Sequence, residues 1–565
     1  MSLWTALNVG RSAINASQLA VEVTGHNIAN AATEGYSRQR VNLAADRATS
    51  AGAGLLVGTG VSVMSIEAYV DQALNGRIQV ALSEASEAAV RQTYLARCES
   101  TLNELGEGGL SEAMLEFFSA VQDVQANPSE VGIRAVLVQR SENLATSFNR
   151  VREELDETRQ EIDARLSGAA ADVNELSRQI AELNVKIVEQ EQGVVGARAN
   201  DLRDQLNQLL QRLSEYVEIR TVEDESGLTT VLIGNDLLVQ ANRAYEVALE
   251  GTSDDSAVAS QIVFTASGAA ATLRSGELAA LIEAMDQVVG GLMADLDLLA
   301  ATFIEQVNRV HSVGRGLDPL SGVQSQESAD DADAALNAAG LAVTPTHGHL
   351  DLAVVQRDTG AETTTSIAVD LDGLGADTTL NDLAAAIDAV DGVSASVDSR
   401  NRLIIEADSD SVGIAFTADT SGVLAALGIN TLFAGSDCRT MAVAEPILDD
   451  NSRLAASLTG EPGDASNLAA LLALRDEGMT ALDGLSFSEY LVTTTTTIGI
   501  QSAAAQDSYT TADTFRAALW AERESYAGVS LDEEAMQLIR YQRAFQGAAR
   551  LIQTADELLR MLMEL

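Results

Sequence analysis

Small and apolar residues recur at alternating four- and three-residue steps near the start of the chain, at Leu3, Leu7, Gly10, Ile14, Ser17, Val21, Thr24 and Ile28. That spacing is the seam of a coiled coil and predicts an N-terminal helix. Three of these eight, Gly10, Ser17 and Thr24, are small or polar. The end of the chain repeats the spacing with Leu538, Tyr541, Phe545, Ala548, Ile552, Ala555, Leu559 and Leu562, where bulky side chains dominate. One seam offers holes and the other knobs, so the pattern predicts that the two ends pack on each other. Two amphipathic helices docked separately on globular domains would carry the same periodicity.

Between the ends, helical periodicity runs from about Tyr69 to Leu213, with a break at Asn127-Pro128-Ser129 where proline can open a new helix. Val173, Leu176, Ile180, Leu183 and Ile187 form one apolar stripe, and Leu202, Leu206, Leu209 and Leu213 form another. Gly193 and Gly196 lie between them, which predicts a helical hairpin closed on itself. From Val217 the pattern turns to short strands at Thr229–Ile233, Leu237–Gln240, Tyr245–Leu249 and Gln261–Thr265. Helix returns from Glu277 to His311. A second strand-containing stretch follows, with Leu350–Val355, Ser366–Leu371, Val393–Val397 and Leu403–Ala407 as strands and Leu380–Val390 as a helix. Helical sequence then resumes after Pro462, with Thr493–Thr497 as an ambiguous interruption.

The fold class expected is α+β and multidomain: a mainly helical trunk with paired terminal helices and two β-rich inserts. The boundaries expected are 1–35 with 526–565 for the terminal coil, 36–215 with 275–320 and 441–525 for the trunk, and 216–274 and 321–440 for the inserts. A length of 565 residues also exceeds what one hydrophobic core spans.

Charge narrows the function classes. The chain carries 83 acidic against 35 basic residues, a formal charge of −48, and its only lysine is Lys186. Nucleic-acid binding needs a clustered basic surface, so no nucleic-acid partner is expected. Cys98 and Cys438 are far apart and in no metal-ligand spacing, which argues against a disulfide framework. Met1 to Ile28 lacks the basic start of a secretory leader, and Leu292–Val307 carries Asp295, Asp297 and Glu305, so neither a Sec leader nor membrane insertion is expected.

Candidate chemistry is sparse. Gly52, Gly54, Gly58 and Gly60 lack the Lys-Ser/Thr of a phosphate loop. His347-Gly348-His349, with Asp351 nearby, offers two metal ligands in a Gly/Thr-rich loop, a pattern equally expected of a polar turn. No catalytic residue, cofactor or metal is therefore expected.

The stretch Gly25-His26-Asn27-Ile28-Ala29-Asn30-Ala31-Ala32-Thr33-Glu34-Gly35-Tyr36-Ser37-Arg38-Gln39 resembles the signature of the flagellar axial proteins, the rod, hook and hook-associated subunits. His26 stands where asparagine is usual. The Gly-Tyr-Ser-Arg-Gln continuation is similar to the hook-associated branch, as are Asn200-Asp201-Leu202-Arg203-Asp204, Leu424–Gly435 and Leu531–Leu562. Thr379–Ile405 resembles a small module of flagellins and hook-associated proteins, with Asp388 where asparagine is usual.

The resemblance implies a non-enzymatic structural subunit joining hook to filament, exported by the flagellar type III apparatus and secreted to the outside of the cell. It implies as partners copies of the chain in a ring, the hook protein, an adjacent hook-associated protein or the filament side, and an export chaperone on the C-terminal helix. Both seams and the family-motif residues Asn27, Ile28, Asn30, Gly35 and Tyr36 are the residues it marks, with Asn27, Asn30, Gly35 and Tyr36 shaping the bend out of the coil. Another axial subunit such as the hook protein, an extracellular adhesin and a metal-dependent enzyme are the alternatives.

Overall fold

The computed structural model describes residues 3–50, 56–102, 109–192, 198–224, 226–251, 260–461 and 463–563. Contacts divide the chain into two compact units, one of Met1–Thr93, Ile162–Asp286 and Ala503–Leu565, the other of Tyr94–Glu161 and Gln287–Ser502. The divisions fall within the helices Gln72–Leu102, Val131–Glu191 and Phe487–Ala527 and within the π-helical turn Ala284–Val289.

In the first unit the N-terminal helix, Leu3–Ala29, packs along the C-terminal helix, Leu531–Met563. The chain then forms an antiparallel hairpin, Gln39–Ala45 with Val61–Ala68, bulged between Asn42 and Leu43. The first apolar stripe is buried throughout, from Val173 to Ile187. On the facing helix, Asn200–Tyr216, Leu206, Leu210 and Leu213 are buried while Leu202 and Leu209 are only half-buried, so its buried face is turned from the expected line. Gly193 and Gly196, expected to close this hairpin, lie outside the described residues.

Of the expected strands, Thr229–Ile233 and Asp236–Gln240 lie in a four-stranded antiparallel sheet completed by two that were not expected, Ile219–Glu223 and Arg243–Ala244, and the other two form a pair, Val247–Glu250 with Gln261–Phe264. Two asparagines tie both to the long helix. Asn184 Nδ2 donates to Thr229 O at 2.8 Å while its Oδ1 accepts from Thr229 N at 3.1 Å. Asn174 does the same for Val247 at 2.9 and 2.8 Å. Each helix side chain thereby completes a strand residue's backbone hydrogen bonds.

The second unit has an aromatic centre, where Phe303 lies 5.0–6.1 Å from Phe117, Phe118, Phe433 and Phe487, ring centre to ring centre. Buried Arg134 donates to two carbonyls, Pro128 O at 2.7 Å and Leu454 O at 2.6 Å. Its strands form two three-stranded sheets, Glu362–Val369, Gly348–Gln356 and Val412–Asp419 in one, Gly322–Gln324, Leu403–Ala407 and Val393–Val397 in the other. The helix Leu380–Asp388, opened by a capping box between Thr379 and Asp382, covers their apolar core. Val412–Asp419 escaped the sequence reading because Val412 to Phe416 are all buried, which removes the alternation that marks a strand.

Two further points differ from simple expectation. The helix Phe487–Ala527 runs unbroken through Thr493–Thr497, with Thr493 Oγ1 and Thr497 Oγ1 each bonding the carbonyl four residues back. Among the described residues, Glu277–Ser312 is long and apolar enough to span a membrane, yet Leu292, Leu296, Leu299, Phe303 and Val307 are core residues, which marks it as a core helix.

Candidate functional site

The contact between the chain ends is built on small residues. Gly10, Ala16, Ser17, Ala20, Val23 and Thr24 are buried on the N-terminal helix, and Ala548 and Ala555 on the C-terminal one. A methyl group on Gly10 would lie 2.6 Å from Ile552 Cγ1, so this approach requires glycine. Leu3, Leu7, Ile14, Val21, Ile28, Leu538, Tyr541, Ile552 and Leu559 flank the contact half-buried. Phe545 and Leu562 are 38% and 64% exposed. The bulky positions thus line the margins while small residues make the centre, and Ala16, Ala20 and Val23 belong to it although the heptad reading passed over them.

Where the N-terminal helix ends, the chain turns and is clasped. Asn27 is buried, and its side chain makes four hydrogen bonds. Nδ2 donates to Gln39 O and to Glu534 Oε2, both at 2.9 Å, and Oδ1 accepts from Tyr36 Oη at 2.8 Å and Gln39 N at 2.9 Å. An asparagine amide is then fully satisfied, and no other side chain of that size supplies two donors and two acceptor sites.

Asn30 Nδ2 donates to His26 O at 3.0 Å and its Oδ1 accepts from Thr33 Oγ1 at 3.2 Å, which closes the helix end. Gly35 turns the chain at φ +74°, where an added methyl group would strike Gln208, and its carbonyl accepts from Arg523 at 2.8 Å. His26, at the position where the signature departs, shares Tyr36 Oη through Nδ1 at 3.0 Å and faces Asp201 at 3.8 Å. The ring takes up a place in the same network.

The clasp closes on two distant segments. Buried Glu534, in the first turn of the C-terminal helix, accepts from Arg38 Nε at 2.7 Å on the oxygen that Asn27 leaves free. Arg38 also reaches Glu533 at 2.8 Å, and its backbone N–H donates to Ala527 O at 2.9 Å. Carboxylates in the first turn are further favoured by the helix dipole. On the other side, the opening turns of Asn200–Tyr216 hold Ser37 N through Asp204 Oδ2 at 2.9 Å, Gln39 Nε2 through Asp201 at 2.8 Å and Ile66 O through Asn200 at 3.1 Å.

Electrostatics follow from burial. Desolvation pushes the Asp204 carboxyl up to about 6 against the opposing hydrogen bond from Ser37 and the charge of Arg523. Burial, then Asp201, Asp204 and Glu534, hold the Tyr36 hydroxyl protonated far above its ordinary range. Tyr36 therefore stays a donor to Asn27. Chemically the arrangement is a joint: its groups are committed to one another rather than aimed at a reacting atom.

Glu534, Arg38, Asp204, Asp201 and Arg523 were not among the residues marked from sequence. The signal for the acidic ones lay in Glu533-Glu534-Ala535 and Asn200–Asp204, but nothing in one dimension says that these meet at Asn27. The other candidates disperse. His347 and His349 take different partners, Asp370 at 3.2 Å and Thr420 at 3.0 Å. Gly52 and Gly54 lie outside the described residues, and Gly60 lets the hairpin approach Ser12.

The joint folds the two ends of a long chain into one helical pair through the Asn27–Tyr36 stretch, whose sequence resembles that of the flagellar axial proteins. Family models agree along the chain: the flagella basal body rod protein at residues 7–36, the flagellar hook-associated protein FlgK helical domain at 95–324, and the flagellar basal body rod FlgEFG protein C-terminal at 524–565. Flagellar hook-associated protein 1 of Bacillus subtilis (strain 168) is 26% identical over 99% of this chain and 97% of its own. That of Escherichia coli (strain K12) is 24% identical over 97% of each. The flagellar hook junction protein FlgK from Burkholderia pseudomallei aligns at a TM-score of 0.49 and 15% identity, over 80% of this chain and all of that one. Over nearly its whole length, then, the chain is similar to flagellar hook-associated protein 1.

Proposed function

We propose that the chain is a structural, non-catalytic subunit of the hook–filament junction, exported through the flagellar type III apparatus and built in through its paired ends. The observation that carries the reading is the clasp, which ties residues 27–39 to Glu534 and so holds both ends as one unit. The C-terminal helix supports it from the other side, because Met536, Ile539, Leu551, Leu558 and Met561 are exposed in the single chain. Such a row of apolar side chains is the signature of a surface meant to be covered. Copies of the chain in a ring would cover it after assembly, and an export chaperone before. The hook protein lies on one side of the ring, and a further hook-associated protein or the filament on the other. The insert around 344–434 lies away from the clasp in sequence and is peripheral to assembly in this reading.

Imaging a deletion strain tests the proposal. Hooks that lack filaments, with flagellin shed into the medium and filaments restored by the intact gene, are expected. Absent hooks would instead assign the chain to the hook itself, and normal filaments would remove it from the axis.

A further inference from the structure

The C-terminal helix carries a second row of heptad spacing beside the one that meets the N-terminal helix. Met536, Arg540, Arg543, Gly547, Arg550 and Thr554 follow one another at steps of four and three residues, and at 3.6 residues per turn the row lies about a quarter-turn from buried Ala548 and Ala555. All six are exposed, as are Leu551 and Leu558 along its border. The whole row lies within one unit of the chain.

Arg540, Arg543 and Arg550 make no ion pair and no side-chain hydrogen bond among the described residues, whereas Arg560 on the same helix pairs with Asp556 at 3.2 Å. The cause is local. From Ala535 to Ala555 the helix has no acidic residue, so none of the three finds a carboxylate three or four positions along it. In a chain with 83 acidic and 35 basic residues this is a reversal of sign. Gly547 sits at the centre of the row. Glycine disfavours a helix interior more than any residue but proline, and Gly10 is explained by Ile552, which a methyl group there would strike. At Gly547 an added methyl group would meet no atom within 4 Å, so its bare backbone serves no contact within the chain. It leaves room for another helix to come close.

We propose that this row is the contact for a second copy of the chain, which lays an acidic helical face along it, with the two backbones closest at Gly547 and the copy's carboxylates on Arg540, Arg543 and Arg550. Charge complementarity names the occupant. Copies that each carry a formal charge of −48 repel one another, so they join where a local cation surface meets carboxylates, and the acid excess of the chain supplies those. A guanidinium holds a carboxylate through two parallel N–H bonds, which fixes register as well as attraction. Leu551 and Leu558 at the border add apolar area that the single chain leaves in water. The inference rests on the junction reading above and adds to it which face of the helix is covered, by what, and through which side chains.

Photo-crosslinking in assembled flagella is the test, with a benzophenone-bearing amino acid placed at Leu551 or at Leu558 in separate strains. Irradiation is expected to join two copies of the full-length chain, identified by peptide mass, with the captured peptide rich in Asp and Glu. Replacing Arg540, Arg543 and Arg550 together by Gln, and separately Gly547→Leu, should each lower that product about fivefold or more and reduce the filaments restored in a deletion strain, while Arg560→Gln leaves both unchanged. Urea midpoints of the purified variants equal to that of the parent are expected, since the substituted side chains touch nothing within the chain, and they separate loss of contact from loss of fold. Cross-links that reach only hook or filament proteins, or an export chaperone alone, would overturn the second copy as occupant. An undiminished copy-to-copy product in the arginine and glycine variants would overturn the assignment of the face. Normal filaments in the deletion strain would instead undo the junction reading itself, so the two failures are read separately.

Discussion

Asn27→Asp is the smallest change that should open the joint. It keeps the volume and both acceptor positions, so Tyr36 Oη and Gln39 N keep their partner. What it removes is the pair of donors to Gln39 O and Glu534 Oε2. Losing a hydrogen bond to a charged group costs about 1.5–3 kcal/mol, and leaving the Gln39 carbonyl unpaired in a closed site adds about 1–3 kcal/mol. The new carboxylate would also face Glu534, which is itself buried. The two losses sum to about 2.5 kcal/mol at the low end, and with the repulsion from Glu534 added the change in local opening is roughly a hundredfold. Native-state hydrogen exchange reads it directly, because Gln39 N bonds Asn27 Oδ1 and Arg38 N bonds Ala527 O across the joint. Both amides should exchange about a hundredfold faster in the variant, while the strand amides of the second unit are unchanged. Adding Glu534→Gln should recover part of the loss, since an amide can donate to Asp at position 27, although Arg38 then loses its charged partner. Exchange at Gln39 and Arg38 within a factor of five of the parent would refute the account of Asn27 as the central tie.

Three further outcomes are expected. Asp204 binds its proton more tightly folded than unfolded, so its contribution to stability is fully present below pH 4 and is lost as pH rises through about 6; Asp204→Asn should remove a slope worth about 3 kcal/mol from urea midpoints measured between those limits. His311 is the opposite case, because complete burial, then the opposing bond to Asn430 O and the charge of Arg134, leave its pKa lowered to about 4. Stability held by the neutral ring is present above pH 6.5 and fades as pH falls through 4, and His311→Gln should flatten roughly 3 kcal/mol of that acid limb in thermal scans of the second unit's transition. Phe545→Glu, at a side chain already 38% exposed, should shift the isolated chain's denaturation midpoint by less than about 1 kcal/mol yet abolish restoration of filaments in a deletion strain; a folded, exported variant that restores motility would show that this face is not used.

The sequence patterns carried different parts of the molecule with different success, and the reasons are physical. Val173 to Ile187 was legible because a helix burying one face must repeat its apolar residues at helical spacing, and all five are buried. Thr229–Ile233 was legible for the matching reason, since its burial alternates along the strand. The centre of the terminal contact was less legible, because reading a seam by its largest residues favours Ile14 and Val21 over Ala16, Ala20 and Val23, whereas helices in close approach bury the small ones. Least legible was the clasp. The signature pointed to Asn27 and Tyr36, but the acid that completes Asn27 stands 507 positions away, and no periodicity spans that separation.

The charge balance explains why this joint is made of arginines and amides. With 83 acidic residues on the chain, any place where segments converge brings carboxylates together: Glu533 and Glu534 at one edge of the clasp, Asp201 and Asp204 at the other. Each edge is closed by a planar cation or by backbone N–H groups. Arg38 spans two glutamates and Arg203 reaches both Glu191 and Glu223. A guanidinium can donate to two carboxylates at once with its geometry fixed by its own plane, which a lysine ammonium on a flexible stem does not reproduce. Asn27 extends the same economy without charge, since its amide satisfies a buried glutamate and a carbonyl together. The acidic surface then serves solubility, while cohesion at the bend comes from short, directed bonds that salt screens far less than the repulsion between neighbouring chains.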